Sequence, residues 1–470
     1  MRYVSTRGEA PVLGFSDALL AGLARDGGLY VPEAFPALPA ARIAAFAGQP
    51  YAKVAGQVIA PFADEAFSPT VLAPMLEAAY AGFRHPAVTP LVQVAPNRFV
   101  LELFHGPTLA FKDVAMQLLG RMMDHVLSVR GRRATIVGAT SGDTGSAAIE
   151  AFRDSTRTDV FILYPAGRVS EVQRRQMTTV DSANVHAIAV DGTFDDCQAL
   201  VKAMFNHHAF RDRLALAGVN SINWARIVAQ VVYYFVAAAA LGGPHRPVSF
   251  VVPTGNFGDV LAGWVAKRMG LPVDRLVVAT NVNDILARTL ATGRYEASGV
   301  VASLSPSMDI EVSSNFERLL FDALDRDAGA LRGLMASLGQ SGGFAPPRTA
   351  LEAIRAEFDG GRAGEDDTLA TIARVRREAG YLVDPHTAVA LSVAERIAHD
   401  PAVPQVVLAT AHPAKFPDAV ERACGERPAL PPHLADLLTR PEHLRTLPND
   451  LAAVEAYVSA HARASAENVA

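Results

Sequence analysis

From about residue 88 onward the apolar positions fall in blocks: runs of roughly five to seven apolar residues, each followed by a glycine-bearing turn and then by apolar positions at helical spacing. Runs so short and so apolar are strands buried on both faces. Strands alternating with helices indicate α/β architecture with largely parallel sheets. On this pattern residues 134–138, 160–164, 185–190, 248–252, 276–279 and 406–409 are strands, and 146–153, 194–206 (capped by Thr193), a long stretch from Ile222, and 260–269 are helices. Upstream, residues 16–25 predict a short helix with Ser16 as N-cap, Leu19, Leu20 and Leu23 on one face and Gly27-Gly28 beyond its end. A Pro-punctuated helical stretch then runs to about residue 85. Residues 337–368, with Ser341-Gly342-Gly343 and Gly360-Gly361, predict a loop-rich excursion that could be mobile, and a Pro-interrupted, Ala-rich helical tail follows residue 425.

Composition narrows the class. With 470 residues, half of them apolar, the chain has enough material for two or three domains and a large core without disulfides or metal. Forty-three basic against 48 acidic residues give a net charge of −5, and no basic block or stripe tracks a nucleic-acid backbone, so nucleic acid is not an expected partner. Cys197 and Cys424 lie far apart, and no Cys or His spacing suggests a metal site. The N-terminus lacks the apolar core of an export signal, so the expected location is cytoplasmic. The most apolar run, Val231 to Leu241, is too short to span about 30 Å of hydrocarbon and follows Arg226 and Gln230, so it reads as a buried helix and no membrane partner is expected.

Open α/β sheets bind ligands beyond the carboxyl ends of their strands, so the turns carry the candidate chemistry. In Thr254-Gly255-Asn256-Phe257-Gly258-Asp259 two glycines let successive N–H groups converge at a helix start, which suits a phosphate; the bland alternative is a plain glycine-rich turn. Thr140-Ser141-Gly142-Asp143-Thr144-Gly145 offers three hydroxyls and small-residue amides that suit a carboxylate, or a helix capped by Asp143 or Thr144. Arg226, on the first turn of an apolar helix, is either an anion clamp or half of a structural ion pair. Asp384 caps a helix beginning at Pro385, where His386 reads as structural. Lys415 either meets an anion or is solvated, and Arg7 and Asp26 read equally well as surface charges. Lys112 follows the turn-rich Phe104-His105-Gly106-Pro107-Thr108-Leu109-Ala110-Phe111 at a helix start. It is either a reactive amine, able to form an imine with a carbonyl cofactor, or a snorkelling surface lysine.

The string HGPTLAFKD resembles the cofactor-lysine segment of threonine synthases. The resemblance continues in Ser5-Thr6-Arg7-Gly8-Glu9, Asp26 to Pro32, Ala139 to Gly145, Asn220 to Arg226, Pro253 to Asp259, Ser313 to Arg318, Gly380 to Ala388 and Ala409 to Phe416, in the family's order over most of the chain. It implies a fold type II pyridoxal-phosphate enzyme of the tryptophan-synthase-β-like superfamily: two open, mostly parallel α/β sheet domains behind a helical N-terminal segment. Domains are then expected at 1–87, at 88–430 with two subdomains, and at 431–470 as a helical tail. The implied reaction converts O-phospho-L-homoserine and water to L-threonine and phosphate by γ-elimination and β-addition of water. The resemblance makes Lys112 the catalytic, cofactor-bonding amine, assigns the cofactor phosphate to Gly255, Asn256, Phe257, Gly258 and Asp259, and matches Thr410 to the residue bonding the ring nitrogen. Substrate contacts are expected from Thr140, Ser141, Asp143, Thr144, Arg226, Ser314 and Asn315. Many related enzymes carry Asn at the Asp143 position, touching the cofactor's ring oxygen; a carboxylate would repel that oxygen unless protonated or turned away. A related lyase acting on another hydroxy- or phospho-amino acid, or a catalytically silent metabolite-binding homologue, are the alternatives, and the sequence sets no oligomeric state.

Overall fold

The computed structural model describes residues 1–63 and 65–464. Two principal sheets organise them. The larger has six strands in the order Phe358–Arg362, Val273–Thr280, Val248–Pro253, Gln405–Ala409, Arg98–Glu102, Leu91–Ala95, all neighbours parallel except the final hairpin. The smaller has five parallel strands in the order Arg445–Pro448, Val185–Asp191, Thr158–Pro165, Ala134–Ala139, Leu216–Ala217. Every residue of Val248–Pro253, Gln405–Ala409 and Thr158–Pro165 is buried, as continuous apolar runs between two helical layers require.

The helix Trp224–Ala240 is apolar apart from Arg226 and Gln230 near its start and almost entirely buried. No helix among the described residues is long and apolar enough to cross a membrane. The N-terminal segment covers one side of this helix: Tyr3 and Phe62 pack their rings 6.3 and 6.0 Å from Trp224, and Asn223, the N-cap, donates its side-chain amide to the Leu19 carbonyl at 2.9 Å. The segment is also clasped to the large domain. Arg7 makes a two-pronged contact with the nearly buried Glu317 at 3.1 and 3.0 Å, and Asp26 accepts from the amides of Glu9, Ala10 and Gly28, so neither is a plain surface charge.

Three sequence expectations are corrected. The first helix is Phe15–Ala21 with Gly14 at the N-cap, because Ser16 is turned inward and buried. Residues 337–368 are mostly regular elements: the short strand Gly343–Phe344, the helix Arg348–Glu357, the edge strand Phe358–Arg362 and the ends of flanking helices. Gly360 and Gly361 read as loop residues, but they are strand residues on which helices from both faces close; a Cβ would lie 2.8 Å from Leu290 and 2.6 Å from Val393. The segment after residue 425 is not simply helical, since Arg445–Pro448 adds the outer strand of the small sheet before the helix Leu451–His461.

Candidate active site

The loops at the carboxyl ends of both sheets converge on one cavity of about 1460 Å³. Lys112 stands on its wall as the first residue of the helix Lys112–Val129. Asp113 closes the turn before it, accepting from the Thr108 N–H at 2.8 Å and the Thr108 hydroxyl at 2.7 Å. Gly106 leaves room for this, because a Cβ there would lie 2.4 Å from that of Asp113. The Lys112 amine is 4.8 Å from the centre of the Phe111 ring and 3.7 Å from Asp143 Oδ2. Burial lowers its pKa below the ordinary lysine range, Arg226 and Lys415 add to the effect, and Asp143 opposes it.

Two turns present unused amides to the same cavity. In the first, the Thr140 hydroxyl oxygen accepts from the N–H groups of Gly142 and Gly145, both at 2.9 Å, which folds the loop so that the amides of Ser141, Asp143 and Thr144 donate to no protein acceptor among the described residues. The hydroxyls of Ser141 and Thr144, on the cavity wall, are likewise without a protein partner there. The helix Asp143–Phe152 begins with Asp143 after Gly142 at φ 135°, so neither Asp143 nor Thr144 is the cap. In the second turn Phe257 adopts φ 64° and sends its ring into the core against Phe316, 5.4 Å away, which opens the backbone towards the cavity. None of the amides of Gly255 to Asp259 donates to a protein acceptor among the described residues. The helix Gly258–Arg268 directs its positive end to the same place.

Asp143 is turned away from these amides. Its Oδ1 receives the Lys415 ammonium at 2.9 Å and the Gln173 amide at 2.9 Å, while Ser307 Oγ donates to Oδ2 at 3.2 Å. Burial alone would raise the Asp143 pKa; Lys415 and then Lys112 overcome it and hold the carboxyl well below the usual range. Lys415 is completely buried and therefore not solvated. The Ser307 N–H donates to His386 Nε2 at 3.2 Å, and His386 Nδ1 meets Asp384 at 2.7 Å, so the imidazole is fixed with its proton on Nδ1.

The remaining expected residues fall on either side of the wall. Thr410 lines the cavity, and among the described residues its hydroxyl has no protein partner. Arg226 lines it too, buried, spending one N–H on the Val219 carbonyl at 3.0 Å and leaving Nε unpaired; no carboxylate among the described residues pairs with it, so it is not half of a structural ion pair. Asp259 reaches the cavity, but its carboxyl belongs to a buried cluster with the hydroxyls of Tyr233 and Tyr234, where desolvation pushes it up to about 7. Ser314 is on the wall. Asn315 is not: it is buried, and its side-chain amide donates to the carbonyls of Asn256 at 3.0 Å and Ser221 at 3.2 Å, bracing the second turn from behind. Sequence reasoning missed Gln173, Ser307 and Gln230. Only Gln230 carried a local signal, a polar residue one turn after Arg226 in an apolar helix, and its Oε1 is buried without a partner.

These residues fit pyridoxal phosphate. A nest of free N–H groups at a helix start suits its phosphate, a free hydroxyl on the cavity wall suits its ring, and a desolvated amine lines the same cavity. Comparison with known proteins agrees. The chain matches the family model "Threonine synthase N terminus" over residues 2–80, "Pyridoxal-phosphate dependent enzyme" over 83–334 and "Threonine synthase, C-terminal" over 387–458. The chain belongs to the threonine synthase family. Within it, the threonine synthase of Pseudomonas aeruginosa is 54% identical over 98% of each chain. The pyridoxal-phosphate-bound threonine synthase of Brucella melitensis superposes with a TM-score of 0.96 at 62% identity, covering 99% of this chain and 100% of that one. Yeast threonine synthase superposes at 0.92 with 39% identity over 98% of each. Threonine synthases are thus similar to this chain from its first strand to its last helix, and the expected fold type II architecture is the observed one.

Proposed function

We propose that this protein makes L-threonine and inorganic phosphate from O-phospho-L-homoserine and water, with Lys112 as its reactive amine. The observation that carries the residue-level reading is the meeting, in one cavity, of a desolvated lysine and two turns whose amides are unused. Family membership along nearly the whole chain supports the reaction and the cofactor. Bound pyridoxal phosphate supplies a conjugated ring that takes up the electrons of a broken C–H bond. The amides of Gly255 to Asp259 would hold its phosphate, Thr410 its ring nitrogen and Lys112 its carbonyl end.

The chain's own groups do the rest. Lys112 Nζ, less basic than a surface lysine, takes the proton from the substrate's α-carbon and serves later proton transfers at the neighbouring carbons. The amides of Ser141, Asp143 and Thr144, with the Ser141 and Thr144 hydroxyls, fit the substrate carboxylate, and the unpaired Nε of Arg226 fits its phosphate. Residues 299–300 and 306–312 line the same cavity, and this loop is tied down through Asp309, which accepts from Asn281 at 2.8 Å and Asn283 at 3.0 Å. Along the chain, we read residues 1–87 as a segment that braces the catalytic region 88–430, with 431–470 completing the small sheet.

The test is release of phosphate and formation of threonine from O-phospho-L-homoserine, with Lys112→Ala run beside the wild type. Equimolar products, lost in the variant, are expected, together with poor turnover of homoserine. Phosphate with a 2-oxo acid and no threonine would move the chain to the lyases. No product from cofactor-loaded protein would leave a silent homologue, and equal turnover of homoserine would overturn the anion clamp.

A further inference from the structure

Lys415 is a cation at this centre that does not line the cavity. It is fully buried behind the wall, at the end of the short turn Pro413–Lys415, yet its ammonium lies 2.9 Å from the same carboxylate that stands 3.7 Å from the Lys112 amine. It also donates to the Thr108 carbonyl at 2.7 Å, inside the turn from which Lys112 emerges. One carboxylate is therefore shared unequally by two lysines, the nearer of which cannot reach a substrate.

We propose that Lys415 is a positioning residue for Lys112: it holds Asp143 ionised and turned away from the free amides, and through that shared carboxylate it sets the pH at which Lys112 releases its proton. This rests on the reading of Lys112 as the reactive amine. Burying an ammonium is costly unless a charge answers it, and Asp143 answers Lys415 before Lys112. The remaining charges facing Lys112 are Arg226 from the helix Trp224–Ala240 and Asp259 from the helix Gly258–Arg268; His386 from the helix Pro385–Arg396 faces Asp143, and Asp113 faces Lys415. Removing the charge at 415 leaves Asp143 with Lys112 as its nearest cation and also removes a repulsion on Lys112, so the amine should keep its proton to higher pH. Removing the charge at 143 leaves lysines that repel, so the proton should leave at lower pH. Removing both should cancel.

The experiment is trace acetylation of the apoenzyme with acetic anhydride across a pH series, following the Lys112 peptide by mass spectrometry, because only the unprotonated amine reacts. The midpoint should rise by about one to two pH units in Lys415→Gln, which keeps a donor for Thr108 but no charge, and fall comparably in Asp143→Asn. The double variant and Lys415→Arg should lie within about half a unit of the wild type. Unmoved midpoints in the folded variants, even with lower melting temperatures, would overturn the inference and leave Lys415 a brace for the Thr108 turn. If Lys415→Gln does not fold, Asp143→Asn decides alone, since an unchanged midpoint there removes the shared carboxylate from the argument. A wild-type Lys112 that titrates like a surface lysine would fail the prior reading of that residue, a result distinct from variants that merely coincide with a low-titrating wild type.

Discussion

Asn315 grips the carbonyl of Asn256 twice, through its backbone N–H at 3.1 Å and its side-chain amide at 3.0 Å. With Ser313 Oγ on the Gly255 carbonyl at 2.7 Å, this pulls the acceptors of the second turn backwards and leaves its donors facing the cavity. Asn315→Ala would strand the Ser221 carbonyl and one N–H of the buried Arg318 guanidinium, and would leave the Asn256 carbonyl to the backbone N–H alone. A loss of about 2–4 kcal/mol is expected in urea denaturation of the apoenzyme, with weaker cofactor retention.

Gly255 tests the same turn from its front. A Cβ there would sit 2.8 Å from the Ser307 carbonyl oxygen, a backbone atom that cannot swing aside. Gly255→Ala should remain folded and lose about ten-fold or more in pyridoxal-phosphate affinity, measured by spectrophotometric titration.

Arg226 carries a buried charge that no carboxylate among the described residues answers, and burial lowers its pKa to about 10. Arg226→Met should therefore make the apoenzyme more stable, by about 1–2 kcal/mol in thermal or urea melts, while kcat/KM for O-phospho-L-homoserine falls about a hundred-fold or more. A variant both less stable and fully active would remove Arg226 from the substrate site.

Asp259 predicts a pH dependence with a definite sign. Its folded pKa, near 7, lies above the ordinary carboxyl value, so the folded protein binds the extra proton between about pH 4 and 7. Its contribution to stability is fully present below that window and is lost as pH rises through 7. Asp113, pushed up to about 6 by burial, acts in the same direction. Replacing Asp259 with Asn should remove the share of the pH dependence of apoenzyme stability between about pH 4 and 7 that Asp259 contributes. Denaturation midpoints across that range would show it.

Much of this architecture was legible in the chain because buried parallel strands are written as unbroken apolar runs: residues 134–138 and 406–409 name their strands without ambiguity. The turns were legible as glycine-bearing strand ends, and the string around Lys112 identified the family. Ser16 misled because a serine ahead of a helix looks like a cap even when its side chain is buried. Gly360 and Gly361 misled because glycine chosen for close packing spells the same letters as glycine chosen for flexibility. The roles of Asp143 and Lys415 were open for a different reason. Which charge answers which depends on contacts between residues far apart in sequence, and no local pattern encodes them. Asn315 was open on the same account, since a side chain that shapes a turn and one that touches a ligand occupy equivalent places in a motif.

The strand Arg445–Pro448 closes the outer edge of the small sheet beside Val185–Asp191, although the chain has meanwhile left that sheet and built most of the large one. During synthesis, at about 5–20 residues per second, that edge waits on the order of tens of seconds before its neighbour emerges. Throughout this interval its peptide groups are open to pairing with another nascent copy. Arg445–Pro448 thus stands as a guard against misassembly, and a stop codon ahead of residue 445 should yield aggregates on the ribosome's timescale even though every residue on the cavity wall has already been made.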